Sequence, residues 1–326
     1  MTERAPGPDP VRMGTLPGRS DDFAVRTEDL GKLYGTRQAV VGLDLAVPAG
    51  LIFGFLGPNG AGKTTTVGML CTLLRPSLGD AWVAGAHVVR EAGRVRRRIG
   101  VVFQEQTLDQ DLTAMESMRL QAELYGLPGA AARAASAALL GLVGLADRAG
   151  HTVRTLSGGT RRRLEIARAL VHGPRVLFLD EPTAGLDPQT RAALWEHLRL
   201  LCREHGITVF LTTHHLEEAE HCDRIAIIDH GELVTEGTPR ALKSVIGADV
   251  VTLRTDDDER AAETVRRSFG LPAETGPDGV RLRAPDGAAL VPRLCAGLTV
   301  PVRSVTVASP TLDDVFLHHT LRDAPR

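Results

Sequence analysis

A glycine-rich stretch, Gly57 to Thr65, constrains this chain more than any other part of its sequence. It reads G-P-N-G-A-G-K-T-T and fits the pattern G-x-x-x-x-G-K-[ST] at every fixed position. An apolar run, residues 51–56, precedes it and predicts a buried strand, and a helical pattern follows it. Strand, loop and helix in this order predict a P-loop, in which backbone N–H groups and the positive end of the helix bind phosphate groups.

Two side chains of this motif are predicted to add to the backbone cradle. Lys63 would place a compact positive charge on the outer phosphates, and Thr64 would offer a hydroxyl to Mg²⁺. The chain has only three lysines among its 38 basic residues, so Lys63 is one of the few positions that arginine does not occupy. The rest of the predicted cradle consists of Gly57, Pro58, Asn59, Gly60, Ala61, Gly62 and Thr65.

The composition is that of a globular protein. A chain of 326 residues with 43% hydrophobic and 24% charged residues predicts one large or two ordinary domains. The net charge of −2 indicates no nucleic-acid partner, and the arginine clusters 94–98 and 161–163 are expected to form solvated faces. Four cysteines without C-x-x-C spacing are expected to be reduced thiols rather than disulfides or metal ligands.

The apolar segments are too short for a membrane span, which needs about 18 uninterrupted apolar residues. The first residues carry charges and prolines without the apolar core of a signal peptide. We therefore expect residues 1–22 to be a disordered tail, and the chain to stay in the cytoplasm as a soluble or peripheral protein.

Three apolar strands are predicted to end in polar side chains, and in a parallel sheet such ends meet at one edge. Asp180 is suited to the Mg²⁺ shell, and Glu181 to polarising a water for attack on the terminal phosphate. Gln104 could contact Mg²⁺ or that water, and His214 could bond the terminal phosphate; taken singly, each could also be an ordinary loop or structural residue. The side chains follow the strands in this order: Gln104 after 99–103, Asp180 and Glu181 after 176–179, and His214 after 207–211.

Three further features have both a structural and a functional interpretation. Tyr34, in a predicted turn around Gly31 and Gly35, could stack on a base or pack beneath the turn. Ser157, with two glycines after it, opens a helix that is either a second anion site or simply a capped helix. Asp187 and the proline after it are predicted to cap and begin another helix.

The order of elements suggests three parts after the tail. Residues 23–240 would form the nucleotide-binding unit, with a helical insertion at about residues 108–165. Beyond it, the pattern β-α-β-β-α-β predicts a ferredoxin-like domain of α+β class at residues 246–322, in which we find no chemical motif.

Over residues 23–240 these motifs together resemble the nucleotide-binding subunit of an ATP-binding-cassette (ABC) transporter. The resemblance implies an α/β P-loop NTPase cassette: a RecA-like core, an antiparallel β subdomain and an α-helical signature subdomain. It implies ATP and Mg²⁺ as cofactors. The implied roles are Tyr34 as the adenine-stacking aromatic, Gln104 as the glutamine that senses the membrane partner, Ser157, Gly158 and Gly159 as the signature, Asp180 and Glu181 as the Walker B aspartate and catalytic glutamate, Asp187 as the dimer contact, and His214 as the switch histidine.

The resemblance also implies two partners. Two copies of the chain would pack head to tail, so that each ATP lies between one P-loop and the signature of the other copy. Thr160 stands where the family commonly has glutamine. A separately encoded membrane permease would insert cytoplasmic helices into a groove near Gln104, which places the chain at the cytoplasmic face of the membrane.

The chain is similar to the daunorubicin/doxorubicin-resistance type of export ATPase in its ending, residues 309–317, together with residues 111–113, 124–128 and 161–167. This predicts drug or antibiotic efflux in a bacterium, with cargo contacts on the permease. The rival interpretation is a soluble ABC-type ATPase that acts on ribosomes or DNA. Such relatives usually carry two cassettes in tandem or a long coiled coil, whereas this chain has one P-loop and one signature. A third, a nucleotide-binding regulator without hydrolysis, conflicts with the presence of both Glu181 and His214.

Overall fold

The computed structural model describes residues 23–247 and 249–320; the predicted N-terminal tail, residues 1–22, lies outside them. The strands are β1 Phe23–Tyr34, β2 Arg37–Pro48, β3 Ile52–Leu56, β4 Leu78–Val83, β5 Ala86–His87, β6 Ile99–Val102, β7 Val176–Asp180, β8 Thr208–Thr213, β9 Arg224–Asp229, β10 Glu232–Gly237, β11 Asp249–Thr255, β12 Ala273–Gly276, β13 Gly279–Ala284 and β14 Val302–Ala308. The helices are α1 Lys63–Leu70, α2 Ala92–Arg98, α3 Ala114–Leu124, α4 Gly129–Leu142, α5 Gly158–Leu170, α6 Pro188–His205, α7 Leu216–Ala219, α8 Pro239–Ile246, α9 Asp258–Thr264, α10 Gly287–Gly297 and α11 Leu312–Thr320.

A six-stranded sheet in the order β10-β9-β3-β8-β7-β6 forms the centre of the fold. Five of its strands are parallel, and only β10 joins antiparallel at the edge. Because successive side chains of a strand point to opposite faces, the apolar run of β3 feeds two cores: Phe53 and Phe55 lie in one, Ile52 and Leu56 in the other. Burial on both faces explains why these strands are continuous apolar runs in the sequence.

The first core lies between the central sheet and the antiparallel sheet β2-β1-β4-β5. Its centre is a group of aromatic rings, in which Phe53 and Phe178 each lie 5.3 Å from Phe210, measured between ring centroids. Three strands of the central sheet are thereby held in fixed register below the P-loop, which leaves the carboxyl end of β3.

The hairpin of β1 and β2 differs from the predicted turn around Gly31 and Gly35. Gly31 lies inside β1, and only Gly35 and Thr36 form the turn, with Gly35 in the left-handed region at φ +61°. The glycine at 31 instead marks irregular pairing, because the register with β2 shifts on both sides of Leu30. Tyr34 therefore ends a strand rather than sitting within a loop.

A helical layer made of α3, α4 and part of α5 has its own core, which includes Met118, Leu140 and Leu164. Helix α3 begins with a capping box, in which Thr113 and Glu116 exchange side-chain and backbone hydrogen bonds. Within residues 23–247 and 249–320, no helix is both long and apolar enough to cross a membrane.

The C-terminal sheet has the order β12-β13-β11-β14, and all its pairs are antiparallel. Residues of α9 and α10, among them Ala261, Leu290 and Leu294, share one core with the strands. The element order is the β-α-β-β-α-β that the sequence predicts, and the short extra strand expected near Leu271 is present as β12.

Helix α11 lies within residues 246–322, the predicted C-terminal domain, but it packs on the cassette instead. Leu312 and Val315 are buried in the second core, beside Trp195 of α6 and Leu242 of α8. Thr311 caps the helix through reciprocal hydrogen bonds with Asp314. The end of the chain therefore stabilises the cassette, a long-range contact that no local pattern reveals.

We predict that Leu312→Ala lowers the free energy of unfolding by about 2–4 kcal/mol, because Leu312 is 2% exposed and its truncation leaves a cavity. Urea denaturation measures this. Leu124→Ala is the matched control, since Leu124 is 74% exposed, and its effect should stay within about 0.5 kcal/mol. Equal effects of the two substitutions would show that α11 is not docked on the cassette in solution.

Candidate active site

The loop between β3 and α1 has the backbone of a phosphate cradle. Gly62 has φ +108°, and a Cβ there would lie 2.5 Å from the Ala39 carbonyl oxygen, so only glycine fits. Helix α1 starts at Lys63, directly after Gly62, and ends at Leu70. The positive end of the helix thus faces the loop.

Lys63 lies in the hollow of this loop. Its Nζ donates to the carbonyl oxygens of Gly57 at 2.6 Å and Pro58 at 3.0 Å. Burial lowers the pKa of Lys63, while the nearby carboxylates of Glu181 and Asp180 act in the opposite direction. A cation that has lost much of its hydration gains more from an anionic ligand than an exposed one does.

The P-loop opens into a cavity of about 620 Å³. The residues that line it are Tyr34, Arg37, Ala39, Asn59, Gly60, Gly62, Lys63, Thr64, Thr65, Gln104, Glu181 and His214. Three residues of the P-loop do not line it. Gly57 and Pro58 hold Lys63 by their carbonyl groups, and Ala61 is buried on the inner side of the loop. Arg37 and Ala39 were not predicted, since nothing in the sequence around them has a recognisable pattern.

The Glu181 carboxylate is fixed from two sides at the wall of this cavity. His214 Nδ1 lies 2.8 Å from Oε1, and the Gln104 amide donates to Oε2 at 3.2 Å. The sequence predicted that the strand ends would bring these three residues together, and the structure places them in contact. A carboxylate in this position can accept a proton from a water that enters the cavity.

Asp180 lies one residue before Glu181 and is 6% exposed. Its Oδ1 accepts a hydrogen bond from the Thr212 hydroxyl, and it does not line the cavity directly. Thr64 and Gln104 offer further oxygen atoms, which together with Asp180 are the ligand type that Mg²⁺ prefers. In the described part of the chain no three His, Cys, Asp or Glu side chains form a metal cage.

Ser157, Gly158 and Gly159 begin α5 outside the P-loop cavity. The Ser157 hydroxyl accepts from the Thr160 N–H at 3.3 Å and lies 2.8 Å from the Thr160 hydroxyl. Thr160, at the position where the family commonly has glutamine, thus strengthens the helix cap. Ser157 and Thr160 border a separate cavity of about 400 Å³.

The two glycines of this segment have different surroundings. A Cβ at Gly159 would overlap the Thr190 side chain, whereas a Cβ at Gly158 would meet open space. Thr190 is in turn held by Asp187, which caps α6 and accepts both the Thr190 N–H and hydroxyl; these bonds lower the pKa of Asp187. Within one chain, the start of α5 at Gly159 therefore packs against the N-terminal cap of α6.

Arg162 was expected to belong to a solvated face, and this prediction is wrong. Its side chain is 9% exposed and pairs with Glu165 at 3.1 Å. The pattern of three arginines in a row gave no hint of burial. The one available signal was an acidic residue three positions later on the same helix.

The chain is similar to known proteins of one family. A family model described as ABC transporter matches residues 40–184. The daunorubicin/doxorubicin resistance ATP-binding protein DrrA of Streptomyces peucetius is 44% identical over 313 residues, covering 94% of this chain and 93% of that protein. The chain belongs to the ABC transporter ATP-binding subunits. This ABC subunit is therefore an ATPase, and the predicted α/β P-loop cassette is confirmed.

Other relatives of this ABC subunit agree. The Nod factor export ATP-binding protein I of Ralstonia nicotianae is 44% identical over 243 residues, covering 74% of this chain and 75% of that protein. Two solved structures resemble it. The first is cbiO1 from Clostridium perfringens, with a TM-score of 0.64 and 30% identity, covering 69% of this chain and 93% of that one. The second is the dimeric ATP-binding cassette MJ0796 bound to ADP and Pi, with a TM-score of 0.60 and 29% identity, covering 66% of this chain and 98% of that one.

The ABC cassette also has a groove of about 370 Å³ between the helical layer and the strand that precedes Gln104. Leu73, Phe103 and Tyr125 line it with exposed apolar surface. His172 stacks on Tyr125, with 3.7 Å between the ring centroids, and burial lowers the pKa of this histidine. A groove with exposed apolar surface, one aromatic stack and two arginines, Arg96 and Arg168, suits an amphipathic helical peptide.

Proposed function

We propose that this protein is the ATPase subunit of a bacterial exporter and that it drives a separately encoded membrane permease from the cytoplasmic face of the membrane. The observation that carries the proposal is the Glu181 carboxylate, held between His214 and Gln104 at the wall of the P-loop cavity. This arrangement supplies a base next to a phosphate cradle, as hydrolysis requires.

Each predicted site residue has a place in this proposal. Lys63 and the backbone of the P-loop hold the phosphates, and Tyr34 stacks on adenine at the mouth of the cavity. Thr64, Gln104 and Asp180 would hold Mg²⁺, which neutralises phosphate charge when bound. Glu181 takes a proton from the attacking water. His214 keeps the Glu181 carboxylate in position and donates to the terminal phosphate.

The second copy of the chain completes the site. In the proposed head-to-tail dimer, Ser157, Gly158 and Gly159 of one copy bind the nucleotide on the P-loop of the other, and Asp187 lies at the contact. Two facts support this: these residues lie outside the P-loop cavity of their own chain, and Gly158 leaves open space at a helix N-terminus.

The cargo belongs to the drug-export class in this proposal. The relatives that share most of the chain are named for daunorubicin and doxorubicin resistance, and others for Nod factor export. These relatives are all named as ATP-binding proteins, so the permease would select the cargo and this chain would supply energy.

We predict that Leu73→Glu lowers recovery of the protein with its permease by at least about tenfold. Leu73 is 61% exposed in the groove, and docking of a permease helix against its apolar surface would remove a carboxylate at this position from water, which is costly. The test searches the genes adjacent to this one for a multi-span membrane protein, co-expresses that protein with the chain and quantifies co-purification from membranes. ATP hydrolysis by the isolated chain should be unchanged, because Leu73 does not line the P-loop cavity.

The matched control is Val245→Glu on α8. Val245 is 65% exposed and lies outside the groove, so the same charge there should leave co-purification intact. Equal recovery of Leu73→Glu and wild type would refute the groove as the permease site, and failure of the wild-type chain to associate with that membrane protein would refute the exporter assignment.

A further inference from the structure

Arg162, on the first turns of α5, makes an unusual number of contacts with the segments that carry the catalytic side chains. Its guanidinium donates to the backbone carbonyl groups of four residues: to Phe103 at 2.6 Å, Asp180 at 2.9 Å, Pro182 at 3.2 Å and Glu181 at 3.4 Å. Three of the four belong to the turn in which Glu181 sits. A planar fork of five N–H donors suits such a set of acceptors.

The turn at Glu181 needs this support. Glu181 has φ +45°, a left-handed conformation that is unfavourable for a residue with a side chain and persists only where its surroundings impose it. On the other side, the Glu181 N–H donates to both the carbonyl and the hydroxyl oxygen of Thr212. Arg162 and Thr212 therefore hold the turn from opposite sides.

The same helix also holds the loop that carries Gln104. Glu165, whose side chain is 1% exposed, accepts the Thr107 N–H at 2.9 Å, and Arg168 donates to the Thr107 carbonyl at 3.1 Å. With the bond from Arg162 to Phe103, helix α5 is attached to both ends of residues 103–107. Gln104, which donates to the Glu181 carboxylate, lies between these two attachments.

We propose that Arg162 is a positioning residue for ATP hydrolysis, which sets the Glu181 carboxylate and Gln104 relative to α5. It lines no part of the P-loop cavity, so it acts through other groups. Helix α5 begins at Ser157 and Gly158, and this step rests on the head-to-tail dimer proposed above. A shift of α5 on binding the nucleotide of the partner copy would move the catalytic carboxylate of its own chain.

The test replaces Arg162 with lysine, whose compact ammonium cannot reach four carbonyl groups in one plane. We expect kcat for ATP to fall at least about tenfold while KM stays within about threefold, because the P-loop is untouched and only the geometry of the base is lost. A residue that merely stabilises the fold would lower the melting temperature without this split between kcat and KM.

The chain offers a matched control on α6. Arg199 also pairs with a glutamate three residues away, Glu196 at 2.6 Å, but on the surface and without contact to a catalytic segment. Arg199→Lys should leave kcat within about twofold. A folded Arg162→Lys protein with the same small change would overturn the proposal.

If Arg162→Lys does not fold, the Glu165→Gln variant tests the positioning role instead. This change removes the charge partner of Arg162 but keeps an acceptor for the Thr107 N–H. A lowered kcat at an unchanged melting temperature supports the proposal, and an unchanged kcat refutes it.

A separate measurement tests the positioning role of Arg162 independently of the proposed head-to-tail dimer. Adding Arg162→Lys to Glu181→Gln should leave the ATP-dependent dimer intact, because Arg162 touches neither the nucleotide nor the signature glycines. If Glu181→Gln alone forms no dimer, the head-to-tail arrangement fails. The kcat of Arg162→Lys still tests the positioning role. Loss of the dimer only in the double variant would assign Arg162 to the interface instead and overturn the proposal.

Discussion

Replacing Lys63 with alanine is expected to weaken ATP binding by at least about a hundredfold. The variant loses two charge-assisted hydrogen bonds from the Lys63 ammonium to phosphate oxygens of ATP, of about 1.5–3 kcal/mol each. Hydrolysis should fall below detection for the same reason. The Lys63 ammonium lies between the carbonyl groups of Gly57 and Pro58 and is 6% exposed, so its removal takes the positive charge out of the phosphate loop itself. Titration calorimetry with ATP measures the change in Kd.

The control for this experiment is Lys243→Ala. Lys243, on α8, is another of the three lysines. Its ammonium pairs with Glu220 at 2.8 Å and lies away from the P-loop cavity. Its loss should change the Kd for ATP by less than about twofold. If Lys63→Ala binds ATP as tightly as wild type, the cavity is not the phosphate site.

Lys63→Arg should be nearly as damaging as alanine. The guanidinium is longer and planar, whereas the loop around Lys63 is closed by backbone carbonyl groups at 2.6 and 3.0 Å. This explains why lysine stands here in a chain that uses arginine at almost all of its basic positions.

Much of the catalytic cavity could be predicted, because its chemistry depends on short stretches with fixed spacing. The P-loop needs glycines at positions where the backbone turns, and Gly62 is one of them. The convergence of Gln104, Glu181 and His214 follows from parallel strands whose carboxyl ends share an edge. Both predictions rest on local patterns and on one general rule of sheet topology.

What could not be predicted depends on contacts between distant segments. Arg162 is buried because the carbonyl groups of residues 180–182 turn toward it, and that turn exists only in the folded chain. The docking of α11 in the core that also contains Trp195 depends on the path of the whole C-terminal domain. Arg37 lines the cavity because the start of β2 lies against the P-loop, with the Ala39 carbonyl oxygen next to Gly62.

Glu181→Gln is expected to slow ATP hydrolysis at least about a hundredfold and to leave a stable ATP-bound dimer. Glutamine has nearly the same shape but cannot accept the proton of the attacking water. The side chain keeps its place between His214 and Gln104, so the cavity and its affinity for ATP should be preserved. Light scattering with ATP should then give twice the mass of the chain, whereas the wild type returns to monomer as ATP is consumed.

Glu217→Gln is the control for removing a carboxylate near His214. Glu217 is exposed on α7 and does not line the P-loop cavity, so hydrolysis and oligomeric state should match the wild type. A Glu181→Gln chain that hydrolyses ATP at the wild-type rate would show that another group is the base.

Whether the trapped dimer is head to tail can be decided at Gly158, where a side chain meets open space in the single chain. Gly158→Asp added to Glu181→Gln should therefore fold normally and bind ATP at its own P-loop. In the head-to-tail dimer the new carboxylate would face the phosphates on the partner copy and repel them, so the dimer should be lost. Gly159 cannot serve for this test, because a side chain there overlaps Thr190 within the same chain. A dimer that survives Gly158→Asp would have to use a surface other than the start of α5.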